Sequence, residues 1–350
     1  MKRIVVAIAL LAASFVAHPS SASVISAGPD TALNQRLFSY GDTGTGWTGA
    51  DGTYSVKLPD GRIIWIFSDT FLGSVNQDHS RDRGTPFINN SFIVDDGTNM
   101  STMKGGNEFQ ARSLLETTAG AGYYWMGDAT VEGDKLRVFL MKFVAVGFEF
   151  QQIGVDVATF SLPSMQLDGI TPLPLAFVPG SNQGPVAYGN AILEADDYTY
   201  IYGVEDLHLD KFLHIARAAR GNVMGSWEYF DGEGWSSNPI AAARLLSGVA
   251  NELSIVKAGS SFRLITQDHA IGKDILMFTA AAPEGPWLSP EVVYSTPETA
   301  GNVFTYNAKE HPELDTPGKI VISYNVNSSD TNDVYADVDN YRPRFVDIYL

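Results

Sequence analysis

The sequence predicts an all-β protein, a five-bladed β-propeller, and three observations carry that prediction. Its 350 residues include 33 Gly, 17 Pro and 11% aromatics, the mixture that short aromatic-rich strands joined by tight turns require. One outline recurs five times: a polar residue among small or aromatic neighbours, a short strand, a polar turn, and an apolar-aromatic return strand. In register, the polar residues are Asp51, Asp128, Asn190, Glu252 and Asn307, spaced 77, 62, 62 and 55 residues apart. That spacing is too irregular for a solenoid and suits four-stranded blades with loops of varied length.

The elements follow in chain order. Lys2 and Arg3 precede an almost unbroken apolar run, Ile4 to Ala17, and Ser20-Ser21-Ala22 offers small residues for cleavage. Residues 1–22 therefore read as a signal peptide, giving a secreted or periplasmic protein, and residues 23–350 as a single catalytic propeller domain. The first blade opens at Gly49-Ala50-Asp51-Gly52, continues through Tyr54 to Leu58, turns at Pro59-Asp60-Gly61-Arg62 and returns through Ile63 to Phe67. The second opens at Met126-Gly127-Asp128-Ala129, turns at Glu132-Gly133-Asp134 and returns to Met141; the third opens at Tyr188-Gly189-Asn190-Ala191, turns at Ala195-Asp196-Asp197 and returns to Tyr202. The fourth opens at Ala250-Asn251-Glu252-Leu253 and turns at Ala258-Gly259-Ser260; the fifth opens at Thr305-Tyr306-Asn307-Ala308 and returns through Lys319 to Tyr324. Phe345 to Leu350 is expected to pair beside an N-terminal strand, closing the ring and removing exposed edges.

Charge narrows the function. With 40 acidic and 23 basic residues the net charge is −17, and −19 once Lys2 and Arg3 are lost. That disfavours nucleic acid and anionic membranes as partners. After the signal, no run approaches the roughly 18 apolar residues of a membrane helix. An exported chain with 0 Cys has no disulfides, so packing alone must stabilise it.

In a propeller the innermost strands line one channel, so the five registered residues would meet at one mouth. Three acids there, Asp51, Asp128 and Glu252, would raise the pKa of at least one of them, because closely placed like charges resist joint ionisation. Two carboxyls with separated pKa values are what glycoside hydrolysis needs, one to protonate the leaving oxygen and one to activate water or attack the anomeric carbon. The alternative is that axial polar residues merely hold water or an ion. Asp69, in Phe67-Ser68-Asp69-Thr70-Phe71, is a fourth catalytic candidate or a turn cap, with Asn89-Asn90-Ser91 as a partner for its loop. Glu205 competes with Glu252 for the proton-donor role, or is a solvated loop charge. Candidate substrate contacts are Asn190, Asn307 and the aromatics Trp47, Trp125, Tyr188, Tyr306 and Tyr324, for which packing within blades is the alternative. Gly49 and Gly52 are expected to let a ligand approach the backbone beside Asp51.

Other signals lead away from cofactors. Gly44-Thr45-Gly46-Trp47-Thr48-Gly49 matches the dinucleotide fingerprint formally, but a strand rather than a helix follows it. The 6 His form no pair with helical zinc spacing. The run Asp330, Asn332, Asp333, Asp337 and Asp339 could hold Ca²⁺ but lacks the Gly and terminal Glu of an EF-hand, which favours a solvated loop. No Ser sits in a nucleophile elbow. No cofactor and no metal are expected.

The run Trp47-Thr48-Gly49-Ala50-Asp51-Gly52-Thr53-Tyr54-Ser55-Val56, with Leu58-Pro59-Asp60-Gly61-Arg62 and Phe67-Ser68-Asp69-Thr70, resembles the opening blade of secreted bacterial families catalogued as domains of unknown function 4185 and 5005. The likeness continues through Asn251-Glu252-Leu253-Ser254, Tyr306-Asn307-Ala308-Lys309 and Tyr341-Arg342-Pro343-Arg344-Phe345. These families look like distant relatives of the five-bladed glycoside hydrolases of families 43, 32 and 117. The resemblance implies a polysaccharide or oligosaccharide substrate, furanoside and arabinan-like in type. By position, Asp51 would be the general base, Asp128 would tune the acid and Glu252 would donate the proton. The arabinan-cleaving relatives imply instead the pair Asp51 and Asp69. The reading from another class is a non-catalytic carbohydrate-binding propeller.

Overall fold

The computed structural model describes residues 23–44, 46–107, 109–117, 122–147, 149–179, 184–208 and 210–350; the expected signal peptide lies outside them. Of the seven antiparallel sheets among the described residues, the five with four strands or more follow one another along the chain. The first is built from Tyr54–Lys57, Ile63–Phe67, Ser91–Asp95 and Met100–Met103, and the second from Tyr123–Glu132, Lys135–Val146, Glu149–Ser161 and Gln166–Pro172. The third contains Pro185–Ala195, Tyr198–Leu207, Asp210–Ala219 and Trp227–Phe230, with three short additions, and the fourth Leu253–Ala258, Ser261–Gln267, Asp274–Ala280 and Leu288–Ser295. The fifth joins Val303–Glu310, Lys319–Ser328 and Pro343–Tyr349 to the N-terminal strand Ser26–Pro29, in register from Ser26 opposite Tyr349 to Pro29 opposite Val346. The expected pairing of the two chain ends is therefore present.

The polar turns found in the sequence make the hairpins. Gly133, Asp196 and Gly259 take φ of 60°, 52° and 64° between their paired strands, the positive φ that two-residue hairpins demand. At Gly61 the φ is 93°, and the Asp60 carboxylate holds Arg62 across the turn.

Apolar faces of neighbouring sheets form the core. Tyr54, Ile64 and Phe92 of the first sheet meet Tyr124, Val138 and Phe160 of the second, and Phe139 and Val157 meet Tyr188, Ile201 and Trp227 of the third. Tyr202 and Ile215 meet Leu253 and Leu264; Ile265 and Met277 meet Ile322 and Val346; Val321 and Phe345 meet Trp65 and Phe67. Each cluster thus lies between consecutive sheets, and the last joins the fifth sheet to the first. A fully buried residue of this kind contributes about 1.5–3 kcal/mol. The first strands of the sheets touch in the same order. Two α-helices, Thr31–Gly41 and Thr331–Ala336, pack outside them, and among the described residues no helix is long and apolar enough to cross a membrane.

The registered polar positions stand where the inner strands break their ladders. Pairing shifts between Met126 and Ala129, between Tyr188 and Ala191, and between Tyr306 and Lys309, so Asp128, Asn190 and Asn307 lie on β-bulges, which re-aim a side chain. Asp51 immediately follows Gly46–Ala50, three residues before Tyr54–Lys57, and Glu252 immediately precedes Leu253–Ala258. Gly189 explains one small neighbour: its φ is 110°, and a Cβ there would collide with the Phe139 ring.

Candidate active site

Asp51 and Asp69 are brought together by the small sheet in which Gly46–Ala50 pairs with Thr70–Gly73, Ala50 opposite Thr70. The Asp51 N–H donates to the Asp69 carbonyl at 3.1 Å, and the Ser68 N–H to the Asp51 carbonyl at 2.9 Å. Oδ2 of Asp51 accepts from the hydroxyls of Tyr306 at 2.8 Å and Tyr341 at 3.0 Å, while Oδ1 has no partner. Asp69 accepts on Oδ1 from Asn89 Nδ2 at 3.1 Å and Trp125 Nε1 at 3.0 Å. It is not a turn cap, and the Asn89 loop partners it as the sequence suggested. Gly49 and Gly52 serve packing rather than ligand approach: a Cβ at Gly49 would strike the Tyr341 carbonyl, and one at Gly52 would lie 2.9 Å from Ser68 N.

Glu252 faces the same group from the fourth sheet. Its Oε1 accepts from Asn307 Nδ2 at 2.9 Å and its Oε2 from Lys309 Nζ at 2.6 Å. Lys309, only 2% exposed, also donates to the carbonyls of Gly52 and Asn307 and lies 4.2 Å above the Tyr54 ring.

Burial governs the electrostatics. Desolvation raises the Asp51 pKa above the ordinary carboxylate range, although the two tyrosine hydroxyls and the Lys309 charge oppose it. Desolvation also raises Asp69, and the charge of Asp51 raises it further, so Asp69 holds its proton longer. Glu252 rises to about 7 through desolvation, against the attraction of Lys309. Burial lowers the Lys309 pKa despite the acids around it. Asp51, Asp69 and Glu252 are thus all displaced toward neutrality, where acid-base chemistry operates.

Asp128 has backbone partners of its own. Its oxygens accept from the backbone N–H groups of Ala129 at 2.8 Å and Ile192 at 2.7 Å, tying the second sheet to the third. It lines, with Lys309, Tyr54, Glu194 and Glu313, a cavity of about 300 Å³ that Asp51, Asp69 and Glu252 do not border. Burial raises its pKa to about 7. The three acids that registration predicted to meet, Asp51, Asp128 and Glu252, all act on the charge of Lys309.

Several expected contacts are corrected by burial. Trp47 packs on Phe67, Tyr188 packs among Trp227 and Tyr229, and Tyr324 is buried with its hydroxyl donating to Glu298 at 2.8 Å; no face of these rings is free for a sugar. Asn190 is 7% exposed and donates to the Asn251 carbonyl at 2.5 Å, so it binds sheet to sheet. Glu205 is buried against Arg244 and His214, at 2.7 Å and 3.3 Å. Burial pushes its pKa up, but the Arg244 hydrogen bonds outweigh that and hold it low, unsuited to proton donation. Trp125, Tyr306 and Asn307 do adjoin the acids and are partly exposed.

Sequence reasoning missed Lys309 and Tyr341 as site residues. Lys309 is a lone cation beside the registered Asn307, which was the available signal. Tyr341 lies two residues beyond the acidic run Asp330 to Asp339, for which a solvated loop was the favoured expectation. Asp330 instead caps Thr331–Ala336, and Asp337 caps the 3₁₀ turn Val338–Tyr341. The one grouping of possible metal ligands among the described residues, His79, Asp337 and Asp339, lies beside the Arg342 guanidinium, which is 3.2 Å from Asp339.

A family model described as Domain of unknown function (DUF5005) matches residues 34–349. No curated protein matches the chain. Among solved structures, a Bacteroides ovatus protein provisionally classed as a hydrolase is similar at 23% identity and a TM-score of 0.78, covering 92% of this chain and 90% of that one. The α-L-arabinofuranosidase of Podospora anserina, solved with cellotriose, is similar at 11% identity and a TM-score of 0.51, covering 88% and 93%. A GH43_12 protein retrieved from a capybara gut metagenome is similar at 11% identity and a TM-score of 0.50, covering 86% and 51%. At these identities the likeness is one of fold, an all-β fold shared with glycoside hydrolases.

Proposed function

The chain belongs to the DUF5005 family, and from that premise we propose that it is an exported glycoside hydrolase, a single five-bladed propeller over residues 23–350 acting on a furanoside, arabinan-like polysaccharide or oligosaccharide. The observation that carries this reading is the pair Asp51 and Asp69, two desolvated carboxyls on adjacent strands with different partners. Asp69, pushed up by its neighbour's charge, retains the proton and gives it to the leaving glycosidic oxygen. Asp51, its anion held by two tyrosine hydroxyls, acts through the unpartnered Oδ1 as base toward water or as nucleophile toward the anomeric carbon. Glu252 is anchored to Lys309 and Asn307, and its charge sets the field in which the pair titrates. Asp128 keeps the bulge of the second sheet in place.

The test is incubation of residues 23–350 with furanose- and pyranose-based polysaccharides, following reducing ends, with Asp51→Asn and Asp69→Asn in parallel. Turnover of a furanoside, lost in both variants, is expected. Unchanged glycan affinity with no turnover in any form would identify a non-catalytic carbohydrate-binding propeller instead.

A further inference from the structure

The long hairpin of the second sheet, Lys135–Val146 with Glu149–Ser161, outruns its inner neighbour: Tyr123, where that strand begins, pairs with Phe143. Val144 to Val146 and Glu149 to Gln151 therefore project beyond the ladder of the inner strand. Aromatic rings cover one face of this projection. The Trp125 centroid lies 4.6 Å from that of Phe143, 4.8 Å from Phe150 and 5.5 Å from Tyr123, and Tyr123 stacks on Phe143 at 6.1 Å with 18° between planes. Phe150 is 59% exposed and Val146 55%. Large rings left in water on a projecting hairpin mark a binding surface.

We propose that Trp125, Tyr123, Phe143 and Phe150 form a ledge for the sugar units that precede or follow the cleaved bond, so that the substrate is a neutral glycan chain of several units rather than a single glycoside. This deepens the hydrolase reading and rests on it. Continuity argues for this occupant. The Trp125 indole N–H donates to Asp69 at 3.0 Å, so the ledge begins at the acid pair and leads outward through Phe143 to Phe150. Charge points the same way. A chain of net charge −17 with partly protonated acids at the ledge's inner end repels an anionic partner, whereas aromatic faces accept the C–H faces of neutral sugars. Phe150 touches none of the acids and packs on Trp125, the donor to Asp69, so it reports on binding beyond the point of cleavage.

Phe150→Ala and Phe150→Tyr separate the possibilities, made in the full-length protein and also in an Asp51→Asn background. Titration calorimetry with linear arabinan, xylan and β-1,3-galactan reads affinity without turnover. Kinetics on the bound polymer and on its disaccharide read chemistry. The expected result is a tenfold or larger loss of polymer affinity in Phe150→Ala, matched by a rise in KM for the polymer. Disaccharide hydrolysis falls by less than polymer hydrolysis, and Phe150→Tyr restores polymer binding. Wild-type polymer affinity in Phe150→Ala, with turnover intact, would overturn the ledge alone. Phe150-dependent binding without turnover would uphold the ledge and overturn the hydrolase. Binding to none of the polymers would overturn both. A Phe150-dependent dimer in sedimentation, with unchanged glycan affinity, would show that a second copy covers the patch and overturn the sugar assignment.

Discussion

Tyr341 donates its hydroxyl to Oδ2 of Asp51 at 3.0 Å, across 290 positions of sequence. With Tyr306 it fixes one oxygen of that carboxylate and leaves the other without a partner. The acid is thereby oriented from the fifth sheet and from the 3₁₀ turn that follows Thr331–Ala336.

Asp51→Asn and Asp69→Asn should each reduce turnover by about 10² to 10⁴, the usual contribution of one acid-base group. Neither should lower the melting temperature, because both acids lose solvation on folding and the amide removes that penalty. Steady-state kinetics beside thermal melts check both parts. A large fall in melting temperature would mark the residue as structural.

Removing one hydroxyl from Asp51 should move its titration. In Tyr306→Phe and Tyr341→Phe the anion loses a donor, so the Asp51 pKa rises above its present value near 6. The acidic limb of the pH-rate profile then shifts toward neutral pH, while the alkaline limb, set by loss of the proton from Asp69, moves less. The two limbs belong to the pair, since its members titrate together. An unmoved acidic limb would place the base elsewhere.

Lys309→Met should cost about 3–5 kcal/mol, as when one member of a buried ion pair is removed. It strips Glu252 of its partner and orphans the Gly52 carbonyl. Urea denaturation at pH 7 measures the loss. Lys309→Met/Glu252→Gln should recover part of it, since no buried carboxylate is then left unpaired.

Stability should fall as pH rises from about 4 to about 7. Asp51, Asp69, Asp128 and Glu252 all have folded pKa values raised toward 6 or 7 by burial. Each binds its proton more tightly folded than unfolded, so its stabilising contribution is full below the ordinary carboxylate range and is lost as pH rises through the folded value. His311, lowered to about 3 by burial, and His214, lowered by burial, act oppositely in the same window; four acids outweigh two imidazoles. Urea midpoints from pH 5 to 8 should decline, and Asp128→Asn should flatten the decline.

Much of the fold was legible because hairpin chemistry is local. Gly133, Asp196 and Gly259 announce their turns, and residues such as Gly189 before Asn190 betray bulges that only small side chains tolerate. The pair Asp51 and Asp69 was legible for the same reason, since both flank one short hairpin. Side-chain direction was not. Tyr188 lies one residue before a bulge that sends it into the core, and Trp47 and Tyr324 sit on strands with both faces covered, where alternation carries no information. Tyr341 could not be found from a repeat, because it lies outside every repeat and reaches Asp51 through tertiary packing.

The fifth sheet also sets a schedule for assembly. Among the described strands its outer member, Ser26–Pro29, is made first, and the partner of that strand, Pro343–Tyr349, last. Four sheets can condense while the chain is still being synthesised, but the final interface waits for Pro343–Tyr349, the slow non-local contact of this topology. Until then the apolar face of Ile320, Ile322 and Val326 lacks its full cover. Trimming the strand at Ser26–Pro29 should therefore raise aggregation during refolding more than it lowers equilibrium stability.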